Sequence, residues 1–181
     1  MNRPPLIILA LLACLAVVPV RAHDTGLSHS SRTLGITATE RGYHLEYRVR
    51  VTPDVALLEM AAMDADRDGA ISDGERDSWF TARGAALLAG LNLTWDSEET
   101  IPARLAGWSL GSALTQTYRF DVDCGPVALR VEDRNFQSQP GHMRIRKGPG
   151  IQVDAPEHDD LNHIDHIHLI ITRLATPPPA E

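Results

Sequence analysis

The feature that most constrains this chain is an alternation of apolar and polar residues with a period of two, which a strand satisfies and a helix does not. Tyr43, Leu45, Tyr47, Val49 and Val51 fall on one side, while His44, Glu46, Arg48 and Arg50 fall on the other. Leu34, Ile36 and Ala38 precede them across a turn at Glu40-Arg41-Gly42, so the two runs read as a half-buried hairpin. The alternation returns in Leu91, Leu93 and Trp95, and again in Leu114, Tyr118, Phe120, Val122 and Cys124. Val127, Leu129 and Val131 repeat it, as do Ile167, Leu169 and Ile171. Short strands broken by Gly and Pro turns predict an α+β, mainly β chain with a β-sandwich-like domain. Cys124, on an apolar face, reads as a small core residue.

Residues 53 to 90 alone break the pattern and predict an inserted helix-loop-helix. Pro53 suits the first helical turn after Thr52, and Val55, Leu58 and Ala62, with Met60 and Met63 beside them, form a stripe ending at Asp64. A second helix carries Trp79, Phe80, Ala86, Leu87 and Leu91 at compatible spacings. Between the helices lies "DADRDGAISDGE", Asp64 to Glu75.

That spacing matches a calcium loop of the EF-hand type, in which a hard cation gathers about six to eight oxygens from alternate positions and a closing carboxylate. The ligand positions fall on Asp64, Asp66, Asp68, the Ala70 carbonyl, Ser72 and Glu75. Gly69 stands where the loop turns sharply, and Ile71 can anchor the loop to a neighbour. Ser72 and Glu75 would also make a capping box for the second helix. A cap, however, explains neither Asp64 and Asp66 nor Gly69, and crowding four carboxylates is costly without a cation. The expected cofactor is therefore Ca2+. Arg67 and Gly74 weaken the loop, and the nearest acidic run, "DAPEHDDLNHID", lacks the glycine and contains Pro156. An affinity in the range of about 10⁻⁴ to 10⁻³ M is expected, and a structural role with it.

The opening "MNRPPLIILALLACLAVVPVRAHD" combines Arg3, an apolar run from Leu6 to Val18 and a small-residue cleavage site ending at Ala22. It reads as a signal peptide over residues 1–22, because about 13 apolar residues are too few for a bilayer that needs roughly 20. Lipidation at Cys14 is the lesser reading, since the chain stays apolar after it. The mature chain, residues 23–181, would hold one β-rich domain over 23–175 and a Pro-rich tail over 176–181. Without Arg3 and Arg21, 15 basic residues face 24 acidic ones, a net charge of −9. Such a charge argues against nucleic acid and anionic membrane surfaces as partners. No later segment reads as a membrane span, and a periplasmic or secreted location is expected.

"AHDTGLSHSSRTL", "MDADRDGAISDGE" and "VEDRNFQSQPGHMRIR" together resemble the extracytoplasmic domain of bacterial nickel/cobalt transporter-like and HupE/UreJ-like proteins. The resemblance implies a periplasmic β-rich domain with an inserted calcium loop. The sequence leaves the partner of that domain's surface open between a membrane metal transporter, a second copy of the chain and something else. The end "ATPPPAE" stands where transmembrane helices would follow in that family, so transport does not carry over.

Two further constellations bear on function. His23, at the new N-terminus, and His163, His166 and His168, in "HDDLNHIDHIH", could hold nickel, cobalt, copper or zinc, His166 and His168 sharing one strand face. Against this, Ile167, Leu169 and Ile171 claim the buried face and leave those two histidines solvated. Gly107-Trp108-Ser109-Leu110-Gly111 fits the G-x-S-x-G of a hydrolase nucleophile elbow, but no long apolar strand leads into it. It reads as a turn between strands, and no catalysis is expected.

Overall fold

The structure, a computed structural model, describes residues 31–95, 99–125, 128–136, 143–155 and 167–174. Their strands are β1 (Ser31–Thr39), β2 (Gly42–Arg50), β3 (Leu91–Thr94), β4 (Ala103–Leu110), β5 (Thr115–Asp123), β6 (Leu129–Asp133), β7 (Met143–Lys147), β8 (Ile151–Asp154) and β9 (Ile167–Arg173). They form a five-stranded sheet in the order β4-β5-β2-β1-β7 and a four-stranded sheet in the order β3-β6-β9-β8. β1 pairs with β7 in parallel, and every other pairing is antiparallel. Residues 1–22, which read as a signal peptide, the Pro-rich residues 176–181 and Val127 lie outside the described residues.

The expected mainly β sandwich-like fold is what forms. In the first hairpin Leu34 stands opposite Tyr47 and Ile36 opposite Leu45, so the alternating apolar residues of β1 and β2 meet on one face. That face joins Tyr118, Phe120 and Val122 of β5, Leu129 and Val131 of β6, and Leu169 and Ile171 of β9 in a single core. Cys124 is buried there, and burial raises its thiol pKa.

Helices α1 (Pro53–Met63) and α2 (Asp73–Ala89) stand between β2 and β3, as the break in alternation predicts. α2 is an integral wall of the core. Phe80 stacks on Trp108 of β4 with ring centroids 4.4 Å apart, and Gly84 lies where an added Cβ would come within 2.9 Å of the Leu105 methyl groups. Its start is secured by a capping box, in which Ser72 and Glu75 bond each other's backbone N–H. The start of α1 has no comparable cap, because Thr52 makes no side-chain cap bond, and the helix is held instead at its middle, where Glu59 accepts from Gln116 and lies 3.6 Å from Arg83.

Three readings of the sequence need correction. The stripe Val55, Leu58 and Ala62 is not the face that α1 buries: Val55, Ala56 and Met63 pack inward, while Leu58 and Ala62 are exposed. α1 is apolar almost all round, so its sequence holds little information about which side faces in. Leu114 is not a strand residue but part of the β4–β5 turn, with φ 58°. Finally, Gly107 to Leu110 lie in strand β4, with Ser109 opposite Thr117, and not in a turn. A bulge between Leu105 and Gly107 shifts the inward set from Ala103 and Leu105 to Trp108, which hides the strand from a search for strict alternation.

A buried polar knot fastens the two sheets to the end of α2. The Asp133 carboxylate accepts the Tyr47 hydroxyl at 2.6 Å and both the backbone and the side-chain N–H of Asn135 at 2.9 Å. Arg32 lies 3.8 Å from the same carboxylate and donates to the Asn135 carbonyl at 3.0 Å. Asn135 also donates to the Leu87 carbonyl in the last turn of α2. Burial, then the Asp133 carboxylate, raise the Tyr47 pKa, so its proton stays in place.

Candidate metal centre

The acidic loop begins where α1 stops. Asp64 is the C-cap of α1, and the chain crosses to Ser72, the N-cap of α2, through two residues in left-handed conformation, Arg67 at φ 61° and Gly69 at φ 87°. Nothing lies within 4 Å of a Cβ built on Gly69, so the backbone angle alone, and not crowding, favours glycine there.

The loop's own amides orient its carboxylates. Asp64 accepts from the Asp68 N–H at 3.1 Å with one oxygen and from the Gly69 N–H at 3.0 Å with the other. Asp66 accepts from the Asp68 N–H at 3.2 Å, and Asp68 from the Ala70 N–H at 2.8 Å. As a result Asp64, Asp66 and Asp68 each offer an oxygen, all within 4.8 Å of one another. Two oxygens that share one calcium at about 2.3–2.6 Å stand at most about 5 Å apart, so this separation fits such an ion. An all-oxygen set also suits a hard cation better than a soft one. At this distance each pair of unit charges repels by about 1 kcal/mol even in a water-like dielectric, so the cluster is poised to take up positive charge.

Glu75 is engaged elsewhere. One carboxylate oxygen accepts from the Ala65 N–H at 2.8 Å, the other from the Ser72 N–H at 2.9 Å and the Ser72 hydroxyl at 2.8 Å. The bonds from Ser72, backbone first, and then from Ala65 hold its carboxyl pKa down to about 2. Glu75 therefore ties the two ends of the loop together from outside the three-aspartate cluster. Ser72 serves the same cap, and Ile71 is half-buried against the core.

Compared with protein-family models, curated proteins and solved structures, the chain gives no match. What the loop can do therefore rests on its own geometry.

The histidine constellation is only partly visible. His23, His163 and His166 lie outside the described residues. His168 sits on β9, pointing away from the core between buried Ile167 and Leu169, with its Nε2 3.6 Å from a Glu132 oxygen. Arg134 first, then Asn92, hold the Glu132 carboxyl pKa at about 2, so His168 faces a carboxylate already occupied by other donors. Among the described residues only the three aspartates form a cluster of metal-binding size. Ser109, inside an antiparallel strand, lacks the strand-turn-helix setting of a nucleophile elbow.

Proposed function

We propose that this protein is an extracytoplasmic calcium-binding domain that uses its single EF-hand-type loop to stabilise a non-catalytic binding fold. The observation that carries this reading is the convergence of Asp64, Asp66 and Asp68 on one point, in a loop whose turn is set by Gly69. Calcium, when bound, supplies the positive charge that relieves their repulsion. The Ala70 carbonyl, Ser72 and Glu75 complete the proposed set. Glu75 would have to exchange part of its cap for the ion, which lowers the net gain and agrees with weak, extracellular-range affinity.

Because α2 already walls the core through Phe80 and Leu87, the ion's proposed effect falls on the loop and on α1, whose start lacks a side-chain cap. The periplasmic or secreted location is proposed from the N-terminal sequence. A membrane metal transporter or a second copy of the chain is the proposed partner of the ordered surface. Among the described residues no helix is long and apolar enough to cross a membrane.

Calorimetric titration of the metal-stripped protein with calcium tests the reading, with nickel, copper and zinc run in parallel. One calcium bound per chain, and none after Asp64→Ala, is the expected result. Absence of calcium binding together with tight uptake of a transition metal would transfer the function to His23, His163, His166 and His168.

A further inference from the structure

The inner face of the five-stranded sheet is committed to the core, whereas no outward-pointing side chain on the other face is buried. Six arginines stand on that outer face: Arg48 and Arg50 on β2, Arg104 on β4, Arg119 on β5, and Arg144 and Arg146 on β7. Its acids are already matched. Glu46 pairs with Arg48 at 2.5 Å, Asp121 is held by His44 at 2.9 Å and by Arg104, and Asp123 at the rim pairs with Arg41 at 3.3 Å. Arg50, Arg144 and Arg146 have no carboxylate of a described residue within ion-pair reach. A net charge of −7 therefore conceals a cationic face.

The strand registers set five of these arginines in three adjacent rows. Arg48 and Arg144 share a row with Ser109, Thr117 and Thr33, while Arg119 and Arg146 share the next with Gly107, Glu46 and Gly35. Arg50 stands on the far side of the Arg48 row, between Thr115 and Ser31. Rows lie about 7 Å apart along the strands, and neighbours about 4.8 Å apart across them. Glu46 is the one acid in the three rows, and every other paired position is Gly, Ser or Thr. The guanidinium groups thus rise from a floor of short hydroxyl side chains and bare backbone.

That composition decides which anionic partner fits. A bilayer calls for apolar residues that enter beneath its headgroups, single-stranded nucleic acid for aromatic rings on which bases stack, and a protein partner for an aromatic or apolar anchor at the centre of the interface. The three rows hold none of these. What they hold are planar forks that bind carboxylate or sulfate through two parallel hydrogen bonds, interleaved with hydroxyls that can exchange hydrogen bonds with other hydroxyls.

We propose that the outer face of the five-stranded sheet binds an acidic polysaccharide, with the anionic groups of the polymer on Arg48, Arg50, Arg119, Arg144 and Arg146 and its hydroxyls on the serines and threonines between them. Gly35 and Gly107 leave room for a sugar ring to lie against the sheet. Net charge, which counts against polyanions as a class, averages over this segregation. The site shares no residue with the acidic loop, so it does not depend on calcium binding.

The test is retention of the protein, as its cell processes it, on immobilised heparin and immobilised alginate, with neutral dextran as the control. Every buffer contains chelator, so calcium bridging cannot supply the contact. Retention on at least one acidic polymer, none on dextran and elution by salt are expected. Arg50→Ala, Arg144→Ala and Arg146→Ala combined remove the three arginines that pair with no described acid, so the melting temperature should stay unchanged. At about fivefold for each exposed charge, the triple variant should bind on the order of a hundredfold more weakly. Arg76→Ala, on α2 and off the sheet, should bind as the parent does. Retention on neither polymer, undiminished binding by the triple variant, or equal binding to phosphatidylglycerol vesicles or to duplex DNA would each overturn the proposal.

Discussion

The acidic loop and the buried knot use similar chemistry in opposite ways. Asp133 sits out of water, and Tyr47 and Arg32 reach it from distant strands, while Asn135, two residues on, links it to the end of α2. Asp64, Asp66 and Asp68 lie near the surface, and their bonds come from amides within five residues. A carboxylate satisfied by distant groups locks those groups together, because removing it strands each of them in a medium that solvates none. One satisfied by its own loop can exchange partners at little cost to the rest of the fold. The first arrangement specifies structure, and the second leaves room for a ligand.

Asp133→Ala should therefore have the largest effect. A loss of about 3–5 kcal/mol in denaturant unfolding is expected, equal with and without calcium. A calcium-dependent loss would break the division between the two regions. Gly84→Ala comes next, at about 1–3 kcal/mol, because the new methyl group must displace Leu105. This too should be independent of calcium, since α2 belongs to the core.

In the loop, Asp64→Ala should abolish the rise in melting temperature that calcium brings, with little change in chelator. Glu75→Gln is expected to behave differently, lowering the melting temperature in both buffers, because one amide oxygen cannot replace the two carboxylate oxygens that span Ala65 and Ser72. Identical chelator melting of Glu75→Gln and the parent would show that the cap adds nothing.

The smallest effect belongs to Glu132. Its carboxyl pKa is depressed to about 2 by Arg134 and Asn92, so its contribution to stability is present above the ordinary carboxylate value near 4.5 and is lost as the pH falls toward 2. Glu132→Gln should flatten that part of the acid-unfolding profile slightly, since the pair with Arg134 is solvent-exposed. An effect as large as that of Asp133→Ala would erase the contrast between surface and buried carboxylates.

How far each region is legible in the sequence follows from the same distinction. The three-aspartate cluster is local, so twelve consecutive residues contain it and its spacing gives it away. Tyr47, Asp133 and Arg32 come together only because β2 and β6 belong to facing sheets, and no pattern in "VEDRNF" announces a buried carboxylate. Strands with clean alternation, such as β2 and β5, read directly. β4 does not, because its bulge changes the phase. α1 is recognisable as a helix from Pro53 and its end at Asp64, yet its orientation is not, since apolar residues stand on every side. The Ala113-Leu114 turn is hidden for the opposite reason: neither residue favours the conformation it adopts.

The parallel pairing of β1 with β7 has a consequence for the order in which the chain takes shape. Arg32 meets Met143, and Ile36 meets Lys147, across more than a hundred residues. A chain threaded from its N-terminus can close the first hairpin early, but one flank of β1 stays open until the strand at Met143–Lys147 follows it out. Loop-closure entropy makes so distant a pairing late and slow. Completion of the five-stranded sheet therefore waits for Met143–Lys147, about four-fifths of the way along the 181 residues.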